Sequence, residues 1–576
     1  MHRLPRLPHC ALVILSCLAL APCASAAPET YYEWVARLQV PEAKRGLNDD
    51  PAGDGTSNLL KYALGINPLT SATNLLPKAE TTSIGGTDRL VLTVGKNPDA
   101  MGVTYIVESS SDLSGWSSAG LSVLSETGTT LKVADSVALG QNDHRFMRVR
   151  VTLSDPLSGA VTWQNVTAIH GVLDNAISAY QIPGILYSVK VAGKDAWAEG
   201  RGVRDTATKA ALSGGDRFRI GSASKTFVGM AVLKLIQQQR MGFENSISAY
   251  LPAAVLSKYD KNHITIRMLL QHTSGINNYT NIIEDWFIPY ITDRKRVWTT
   301  EELVELVNSR FALSYEEGGK VADPGQKWYY SNTNTLLLAM AVEKVVGMPI
   351  RQYITEQFIQ PLGLTDTLYP APGESTIPGN YAKGYVDWAN FTGEPSMPSG
   401  LTDVTVYDPT GVGAAGPMIS SARDLAVWME AIVKNDQLIG DYRSGHIDWH
   451  YFTSFSNATG TPRPGSYGMK LAHEPDVTNN ADYYIIGHRG QISGYDTAMM
   501  YIPEKNVALV VVCNRTLRFA EGAPDNALLV AMNQIIAILY PDLIAANKLP
   551  PKAAALRIEP PQPAAPFKRK AALTEY

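Results

Sequence analysis

Cysteine is scarce in this sequence, and its distribution limits what can hold the fold together. The chain has 576 residues and 4 cysteines, and Cys10, Cys17 and Cys23 all lie close to the N-terminus. Cys513 is the one cysteine in the body of the chain, so no disulfide can form within that body. The hydrophobic core therefore has to stabilise the fold without a covalent link.

The sequence also lacks a charge excess and a long apolar segment. The 50 Lys and Arg residues nearly balance the 54 Asp and Glu residues, and no long run of one sign occurs. We therefore expect no nucleic-acid partner. Beyond the N-terminus no stretch reaches the roughly 18 apolar residues of a membrane span, so no integral span is expected. A hydrophobic fraction of 45% is typical of a globular protein, and the length predicts roughly two to four domains.

The first 26 residues have the organisation of an export signal. Arg3 and Arg6 form a basic start, an apolar run of about a dozen residues follows, and small residues at 24–26 suit a cleavage site. We therefore expect residues 1–26 to be a signal peptide and the mature protein to be periplasmic or extracellular. A lipoprotein signal ending at Cys23 is less favoured, because the preceding proline stands where such signals need a small flexible residue.

Residues 27–78 are expected to form a short helical segment around a turn that resembles the calcium loops of bacterial surface proteins. With Asp50 as loop position 1, Ala52 replaces the acid at position 3 and Lys61 replaces the bidentate Glu at position 12. Because two charged ligands are missing, we favour a capped turn that leads into a helix from Leu59. Calcium binding at this turn stays open.

The rest of the chain divides by composition. Residues 79–155 alternate apolar and polar in short runs, which predicts a β-sandwich-like accessory module and a candidate for association with the cell envelope. Residues 160–545 mix amphipathic helical and strand patterns over the size of one enzyme domain. Residues 546–576 are rich in proline and are expected to be a disordered tail.

The strongest motif is FRIGSASKTF at residues 218–227, which leads into a run with helical spacing of its apolar residues. Ser222 and Lys225 are three residues apart, so their side chains project from one face of the helix start. An amine at this distance can take the proton of a serine hydroxyl and make it nucleophilic.

Two further motifs follow in the chain. DPGQKWYYSNTN at residues 323–334 contains Y-x-N, formed by Tyr330 and Asn332, ahead of an apolar helix. Residues 279–281 match the same three letters without a Pro-Gly turn or such a helix, and we interpret them as a decoy. GHRGQISGY at residues 487–495 precedes two apolar runs that predict successive strands of a sheet.

The order S-x-x-K, Y-x-N and H-x-G resembles the serine β-lactamase and penicillin-binding superfamily. The most similar branch contains class C β-lactamases, D-alanyl-D-alanine carboxypeptidases and related esterases. Two further segments match, at residues 264–275 and 413–425, and His272 in the first is expected to shape a loop. The resemblance covers residues 160–545 and implies an α+β fold, an antiparallel sheet flanked by helices with an all-helical lobe, here preceded by the small all-β module.

The resemblance also implies roles for individual residues. Ser222 would be the acylated nucleophile and Lys225 its proton acceptor. Tyr330 would relay a proton to the leaving group, and Asn332 would bind a substrate amide or carbonyl. The backbone N–H groups of Ser222 and Gln491 would form the oxyanion hole.

The H-x-G strand contains a departure from the family. His488 stands at the position of the family's Lys or His, and Gly490 would let the substrate backbone lie against the strand. Arg489 replaces a Thr or Ser hydroxyl that helps to hold the substrate carboxylate in relatives, which argues against efficient β-lactam hydrolysis. Its guanidinium would bind a carboxylate itself, or point away and leave an esterase-like site; the sequence does not decide between these.

These observations predict an exported serine hydrolase that forms an acyl-enzyme on D-alanyl peptides, β-lactams or small esters. An esterase without β-lactam activity and a non-hydrolysing binding or sensor protein are the alternatives. No cofactor and no metal are expected, because His446 and His450 have the spacing of helical metal ligands but lack the Glu of a zinc-protease motif. Cys513 ends an apolar run and is expected in the core.

Overall fold

The computed structural model describes residues 31–141, 144–153, 163–314, 317–392, 396–434, 438, 486–517 and 527–545. The expected signal peptide at 1–26, the pair His446 and His450, and the expected tail at 546–576 lie outside the described residues.

The described helices are α1 (Tyr31–Arg37), α2 (Asn58–Leu64), α3 (Trp163–Ala179), α4 (Ser224–Gln237), α5 (Ile266–Leu270), α6 (Ile288–Thr292), α7 (Thr300–Ser309), α8 (Asn332–Val346), α9 (Ile350–Ile354), α10 (Trp388–Thr392), α11 (Ala422–Lys434), α12 (Ala527–Leu539) and α13 (Pro541–Ala545). The described strands are β1 (Ala79–Ile84), β2 (Thr87–Gly95), β3 (Val103–Ser110), β4 (Leu121–Glu126), β5 (Thr130–Ala138), β6 (Phe146–Leu153), β7 (Gly184–Val191), β8 (Trp197–Gly202), β9 (Phe218–Arg219), β10 (Tyr385–Val386), β11 (Thr402–Asp403), β12 (Ile419–Ser420), β13 (Ile486–Ile492), β14 (Tyr495–Ile502) and β15 (Val507–Cys513).

A five-stranded antiparallel sheet lies at the centre of the larger part of the chain, with the strand order β13-β14-β15-β7-β8. All residues of β15 are buried, as its continuous apolar run predicts for a strand covered on both faces. Among the described strands, β13, which contains the H-x-G motif, lies at the edge of this sheet. An edge strand leaves backbone groups that an extended ligand can pair with.

Alternate residues of β15 contribute to two separate hydrophobic cores, because successive side chains of a strand point to opposite faces. The even-numbered residues 508–512 face the larger core, which contains α4, α8 and α11, and the rings of Phe227 and Trp428 stack there at 3.9 Å. The odd-numbered residues 507–513 face the core formed with α3 and α12, and Cys513 is 1% exposed there. The expected α+β fold with a helix-flanked antiparallel sheet is confirmed.

The N-terminal part contains a second, smaller arrangement of strands. A four-stranded sheet has the order β1-β2-β5-β4, and β3 pairs with β6. The two sheets share a core that includes Val94, Val107 and Val133. The ring of Tyr32 on α1 packs edge-on against Trp197 of β8 at 5.9 Å, so the N-terminal helix contacts the large sheet directly.

The turn that resembles a calcium loop holds an ammonium group of the chain itself. Lys61 is fully buried, and its Nζ lies 3.0 Å from Asp54 Oδ1 and 3.8 Å from Asp50 Oδ1. The same Nζ donates to the carbonyl oxygens of Pro68 at 3.4 Å and Thr70 at 3.1 Å. Lys61 therefore supplies a positive charge among acceptors of the kind that a hard cation takes.

The helix after this turn begins as a capped helix. The Ser57 hydroxyl accepts a hydrogen bond from the backbone N–H of Leu60 at 3.4 Å, and Gly65 ends α2 with a φ of 71°. In the part of the chain that the structure describes, no single helix has both the length and the apolar composition to cross a bilayer. By those two measures alone, the bent pair Asn332–Val346 and Ile350–Ile359 qualifies.

Candidate active site

Ser222 lies in a tight turn between a short strand and the long helix α4. The turn is a 3-10 segment, Gly221–Ala223, that follows β9. β9 is fixed by its pairing with β12, where Arg219 stands opposite Ile419. Gly221 has a φ of 52°, and a Cβ there would lie 2.7 Å from the carbonyl oxygen of Gln491, so this position requires glycine.

Lys225 projects from the first turn of α4 onto Ser222. Its Nζ lies 2.9 Å from Ser222 Oγ and donates to the carbonyl oxygen of Ala415 at 2.8 Å. The side chain is 1% exposed, and this burial holds the pKa of the Lys225 ammonium well below its usual value of 10.5. A larger share of neutral amine, which can accept a proton from serine, is therefore present near neutral pH.

Tyr330 is the third side chain of this cluster. The ring centroid lies 5.1 Å from Lys225 Nζ, and the Ser222 side chain lies near enough to the phenol to influence its pKa. Burial raises the pKa of the Tyr330 phenol, and the nearby Ser222 side chain offsets only part of that rise. The phenol thus keeps its proton and can act as a proton donor beside Ser222 and Lys225.

His272 supports the loop that carries Tyr330. Its carbonyl oxygen accepts from the N–H of Tyr329 at 2.8 Å, its Nδ1 accepts from the N–H of Ser331 at 3.3 Å, and its ring lies 4.7 Å from the ring of Tyr330. His272 has a φ of 57°, which is uncommon for a residue with a side chain. The sequence predicts only that His272 shapes a loop; the structure shows that this loop positions Tyr330.

Asn332 begins α8 beside Tyr279–Asn281, the second Y-x-N match. Its Nδ2 donates to Thr280 Oγ1 at 3.0 Å, and its backbone N–H donates to Asn278 Oδ1 at 3.1 Å. Within the described residues its Oδ1 is buried and has no hydrogen-bond partner. The second Y-x-N match thus orients the side-chain amide of the first, and the buried oxygen of that amide keeps an unused acceptor position.

β13 lies directly against the nucleophile turn. A Cβ on Gly490 would lie 2.0 Å from the carbonyl oxygen of Ile220 and 3.0 Å from the backbone nitrogen of Ala223. The protein's own backbone therefore requires glycine at this position, whereas the sequence suggested only a substrate that needs the space. This contact also brings the peptide of Gln491 beside Gly221.

The two side chains before Gly490 differ in exposure. His488 is 5% exposed, and its Nδ1 is hydrogen-bonded to the carbonyl oxygen of Arg489, so Nδ1 carries a proton. Arg489 is exposed on the edge strand between two buried neighbours.

Two expectations about other chemistry concern residues away from Ser222. Burial raises the pKa of the Cys513 thiol, so it behaves as an inert core residue. Over the ranges that the structure describes, no group of three or more His, Cys, Asp or Glu side chains is arranged to hold a metal ion.

Comparison with known proteins identifies the class to which this fold and site belong. The Beta-lactamase family model matches residues 165–532, more than half of the chain. The chain belongs to this family, and it is a serine hydrolase of the β-lactamase and penicillin-binding type. Its placement in the class C branch stays a prediction.

Individual relatives are distant. The chain is 25% identical over 348 residues to Protein flp of Staphylococcus aureus (strain COL), a match that covers 60% of this chain and 62% of that protein. It is 25% identical over 317 residues to Penicillin-binding protein 4* of Bacillus subtilis (strain 168), covering 54% of this chain and 64% of that protein. The chain thus spans less than two thirds of the length of both relatives.

Solved structures give the same fold. The D-stereospecific amidohydrolase from Streptomyces sp. superposes with a TM-score of 0.50 at 25% identity, over 61% of this chain and 94% of that one. The D-amino acid amidase from Ochrobactrum anthropi SV3, complexed with L-phenylalanine, has a TM-score of 0.53 at 22% identity, over 66% of this chain and 99% of that one. The latter likeness concerns the fold alone.

Proposed function

We propose that this protein is an exported hydrolase that cleaves small amides or esters through an acyl-enzyme on Ser222. The observation that carries the proposal is the 2.9 Å contact between Ser222 Oγ and the buried amine of Lys225. Burial favours the neutral amine, which is the form that can accept the serine proton. Export rests on the signal-like pattern of residues 1–26.

The acylation step follows from this geometry. Lys225 takes the proton of Ser222, and the Ser222 oxygen forms a bond to the acyl carbon. The negative charge that develops on the carbonyl oxygen is stabilised by the N–H groups of Ser222 and Gln491. As the bond to the leaving amine or alcohol breaks, Tyr330 passes it a proton, which Lys225 replaces. A water molecule then hydrolyses the acyl-enzyme by the same route in reverse.

Two features favour an amide or ester over a β-lactam as substrate. Arg489 stands where the resemblance leads one to expect a hydroxyl that holds the carboxylate of a β-lactam. The Oδ1 of Asn332 is available to accept from a substrate N–H, as an aminoacyl amide would offer. One structural relative, the Streptomyces amidohydrolase, is named for D-stereospecific action, which supports D-aminoacyl compounds within this class.

A second candidate is a D-alanyl carboxypeptidase. The side chain of Arg489 is exposed on β13, and a guanidinium pairs with a terminal carboxylate in a bidentate manner. In that case Arg489→Ala would raise the KM for a D-alanyl-D-alanine peptide at least tenfold and leave the KM for a neutral ester unchanged.

The test uses the full chain and its Ser222→Ala variant. An activated ester or a fluorophosphonate should form an adduct that mass spectrometry locates on Ser222 and that the variant lacks. Turnover of a D-aminoacyl amide, a nitrophenyl ester, a D-alanyl-D-alanine peptide and a cephalosporin then ranks the substrates. A wild-type protein without an adduct on Ser222 would refute the proposal, and the binding or sensor alternative would take its place.

A further inference from the structure

β14 carries a buried carboxylate that the acylation steps do not use. Asp496 is 2% exposed. In the ladder of the large sheet it stands directly opposite Gln491 of β13 and Cys513 of β15. Residues that stand opposite one another share a face of the sheet, so Asp496 lies behind the strand that borders the nucleophile turn.

The contacts of Asp496 converge on the side chain of Gln491. Gln491 Nε2 lies 3.1 Å from both carboxylate oxygens, and it also donates to the carbonyl oxygen of Leu517 at 2.8 Å. The backbone N–H of Leu517 donates to Asp496 Oδ2 at 2.7 Å. Asp496 therefore links the side chain of Gln491 to the segment that follows β15.

The peptide of the same Gln491 lies beside the nucleophile turn. A Cβ on Gly221 would lie 2.7 Å from the carbonyl oxygen and 2.9 Å from the nitrogen of Gln491. Oxyanion stabilisation depends on a donor that is already held in place, because movement of a few tenths of an ångström weakens it. The side chain of Gln491 is the part of this residue that the sheet ladder does not hold.

We propose that Asp496 is a positioning residue that, through the side chain of Gln491, holds the oxyanion-stabilising peptide of β13 against the nucleophile turn. This proposal rests on the proposed function, because it assigns Gln491 to the oxyanion hole. Asp496 does not touch the substrate and acts only through Gln491.

The protonation state of Asp496 decides whether this link is complete. The ionised carboxylate accepts hydrogen bonds from Gln491 Nε2 and from the Leu517 N–H. When the carboxylate is protonated, one of its oxygens becomes an O–H donor that points toward an N–H donor, so a hydrogen bond is lost. Burial raises the pKa of Asp496 to about 7, and the hydrogen bonds from Leu517 and Gln491 and the charge of Arg489 counteract that rise. The link is therefore complete above about pH 7 and weakened below it.

Within the described residues, the surroundings offer few other groups that titrate against Asp496. Arg489 of β13 and the thiol of Cys513 on β15 are the titratable groups on the neighbouring strands that interact with it. α12 contains no titratable residue. On α3, His170 is paired with Glu199 of β8, and Asp174 is paired with Arg201 of the same strand.

Stability and activity should respond to this group in opposite directions. Because the folded pKa lies above the value of 3.8 for a free Asp, protonation favours the folded state; that contribution is full below pH 3.8 and is lost progressively as the pH rises to about 7. Activity needs the ionised form and should rise around pH 7, where the last of that contribution to stability is lost. A purely structural carboxylate would not give this opposition.

Asp496→Asn in the full chain tests the proposal, with Asp424→Asn as a matched control. Asp424, near the start of α11, is also buried, and burial raises its pKa to about 6. Its carboxylate accepts hydrogen bonds from the Asp366 N–H and the Thr367 hydroxyl. The measurements are kcat and KM for a nitrophenyl ester against pH, and the affinity of a boronic acid that forms a tetrahedral adduct with serine.

We expect Asp496→Asn to lower kcat about tenfold at pH 8 and to change KM less than threefold. The affinity of the protein for the boronic acid should fall by about the same factor as kcat. The part of the rise of kcat that Asp496 produces near pH 7 should disappear in Asp496→Asn, whereas the rise from deprotonation of Lys225 should remain. Both should persist in Asp424→Asn. Gln491→Met keeps the peptide N–H but removes the link, so it should give the same loss even if Asp496→Asn folds poorly.

The outcomes separate this proposal from the proposed function. If the wild type forms an adduct on Ser222 but Asp496→Asn keeps the wild-type kcat and pH profile, the positioning role is refuted. An equal loss in Asp424→Asn would refute it too. If the wild type forms no adduct on Ser222, the proposed function itself fails, and the role of Asp496 fails with it.

Discussion

The amine of Lys225 is held between the hydroxyl of Ser222, at 2.9 Å, and the carbonyl oxygen of Ala415, at 2.8 Å. The carbonyl takes one N–H of the amine and so orients the rest of the group toward the serine. In the described part of the chain no carboxylate is paired with Lys225, and burial alone depresses its pKa. An ion pair would have raised that pKa and removed the base.

Lys225→Ala should lower the rate of acylation of Ser222 by about 10²–10⁴-fold, the usual contribution of a positioned general base. In the wild type the rate should rise with pH through a pKa below 10.5, because deprotonation creates the base. Stopped-flow acylation by an activated ester at several pH values measures both effects. Lys234→Ala on the same helix is the control and should keep the wild-type rate; a Lys225→Ala protein with undiminished acylation would contradict the assignment.

Tyr330→Phe should keep the fold and lower turnover by about 10²-fold or more, because the ring still packs on His272 but no longer offers a proton. The loss should be greatest for substrates with poor leaving groups, which a comparison of nitrophenyl and alkyl esters detects. Tyr279→Phe is the matched control, since that buried phenol belongs to the other Y-x-N match. Equal losses in the two variants would show that the effect is one of packing.

Gly490→Ala should destabilise the protein and abolish most of its activity. The added Cβ would lie 2.0 Å from the carbonyl oxygen of Ile220, so β13 must move away from the nucleophile turn. We expect a cost of about 1–3 kcal/mol in unfolding free energy and a loss of activity of about 10²-fold. Urea unfolding and ester turnover measure the two.

Gly171→Ala is the control for this substitution. Gly171 lies in α3, and a Cβ there meets no atom within 4 Å. This variant should gain about 0.5–1 kcal/mol because alanine favours the helix. If Gly490→Ala were as active and as stable as Gly171→Ala, the close contact between β13 and the turn would be wrong.

Lys61→Glu should change how the N-terminal part responds to calcium. In the wild type the Lys61 ammonium lies among Asp50, Asp54 and two carbonyl oxygens, so added calcium or EDTA should leave the melting temperature unchanged. The variant replaces the ammonium with the acid expected at loop position 12 and should melt lower in EDTA than in millimolar calcium.

Lys61→Met separates loss of the ammonium from gain of a carboxylate. This variant should melt lower than the wild type whether or not calcium is present, because the acidic side chains lose their counter-charge. Differential scanning calorimetry of the wild type and the two variants, in calcium and in EDTA, measures these melting temperatures. A wild-type melting temperature that rises with calcium would show that the ammonium does not replace the ion.

Local features of the sequence were enough to predict much of this molecule. The spacing of Ser222 and Lys225 predicts that they share a helix face, since the helical period depends only on short-range backbone geometry. The apolar runs at 498–502 and 507–512 predict strands for the same kind of reason, and both are present in β14 and β15. The order of the three motifs predicted the superfamily.

What the sequence alone could not determine depends on residues that are distant in the chain. The carbonyl of Ala415, which accepts from Lys225, is 190 residues away from it in the sequence. Thr280, which orients Asn332, is 52 residues away. The second Y-x-N segment therefore contacts the site through Asn332. A three-residue motif does not predict which distant segments come into contact when the core forms.

The sequence by itself thus determined the helix face of the nucleophile, the strand pattern and the class of protein. Tertiary structure decided that Lys225 is buried and its pKa depressed, that Gly490 meets the backbone of Ile220, and that Asp496 reaches Gln491. Secondary structure follows from the periodic spacing of apolar residues along the sequence. Burial, close backbone contact and charge pairing arise only when α4, β13 and β14 pack into one core.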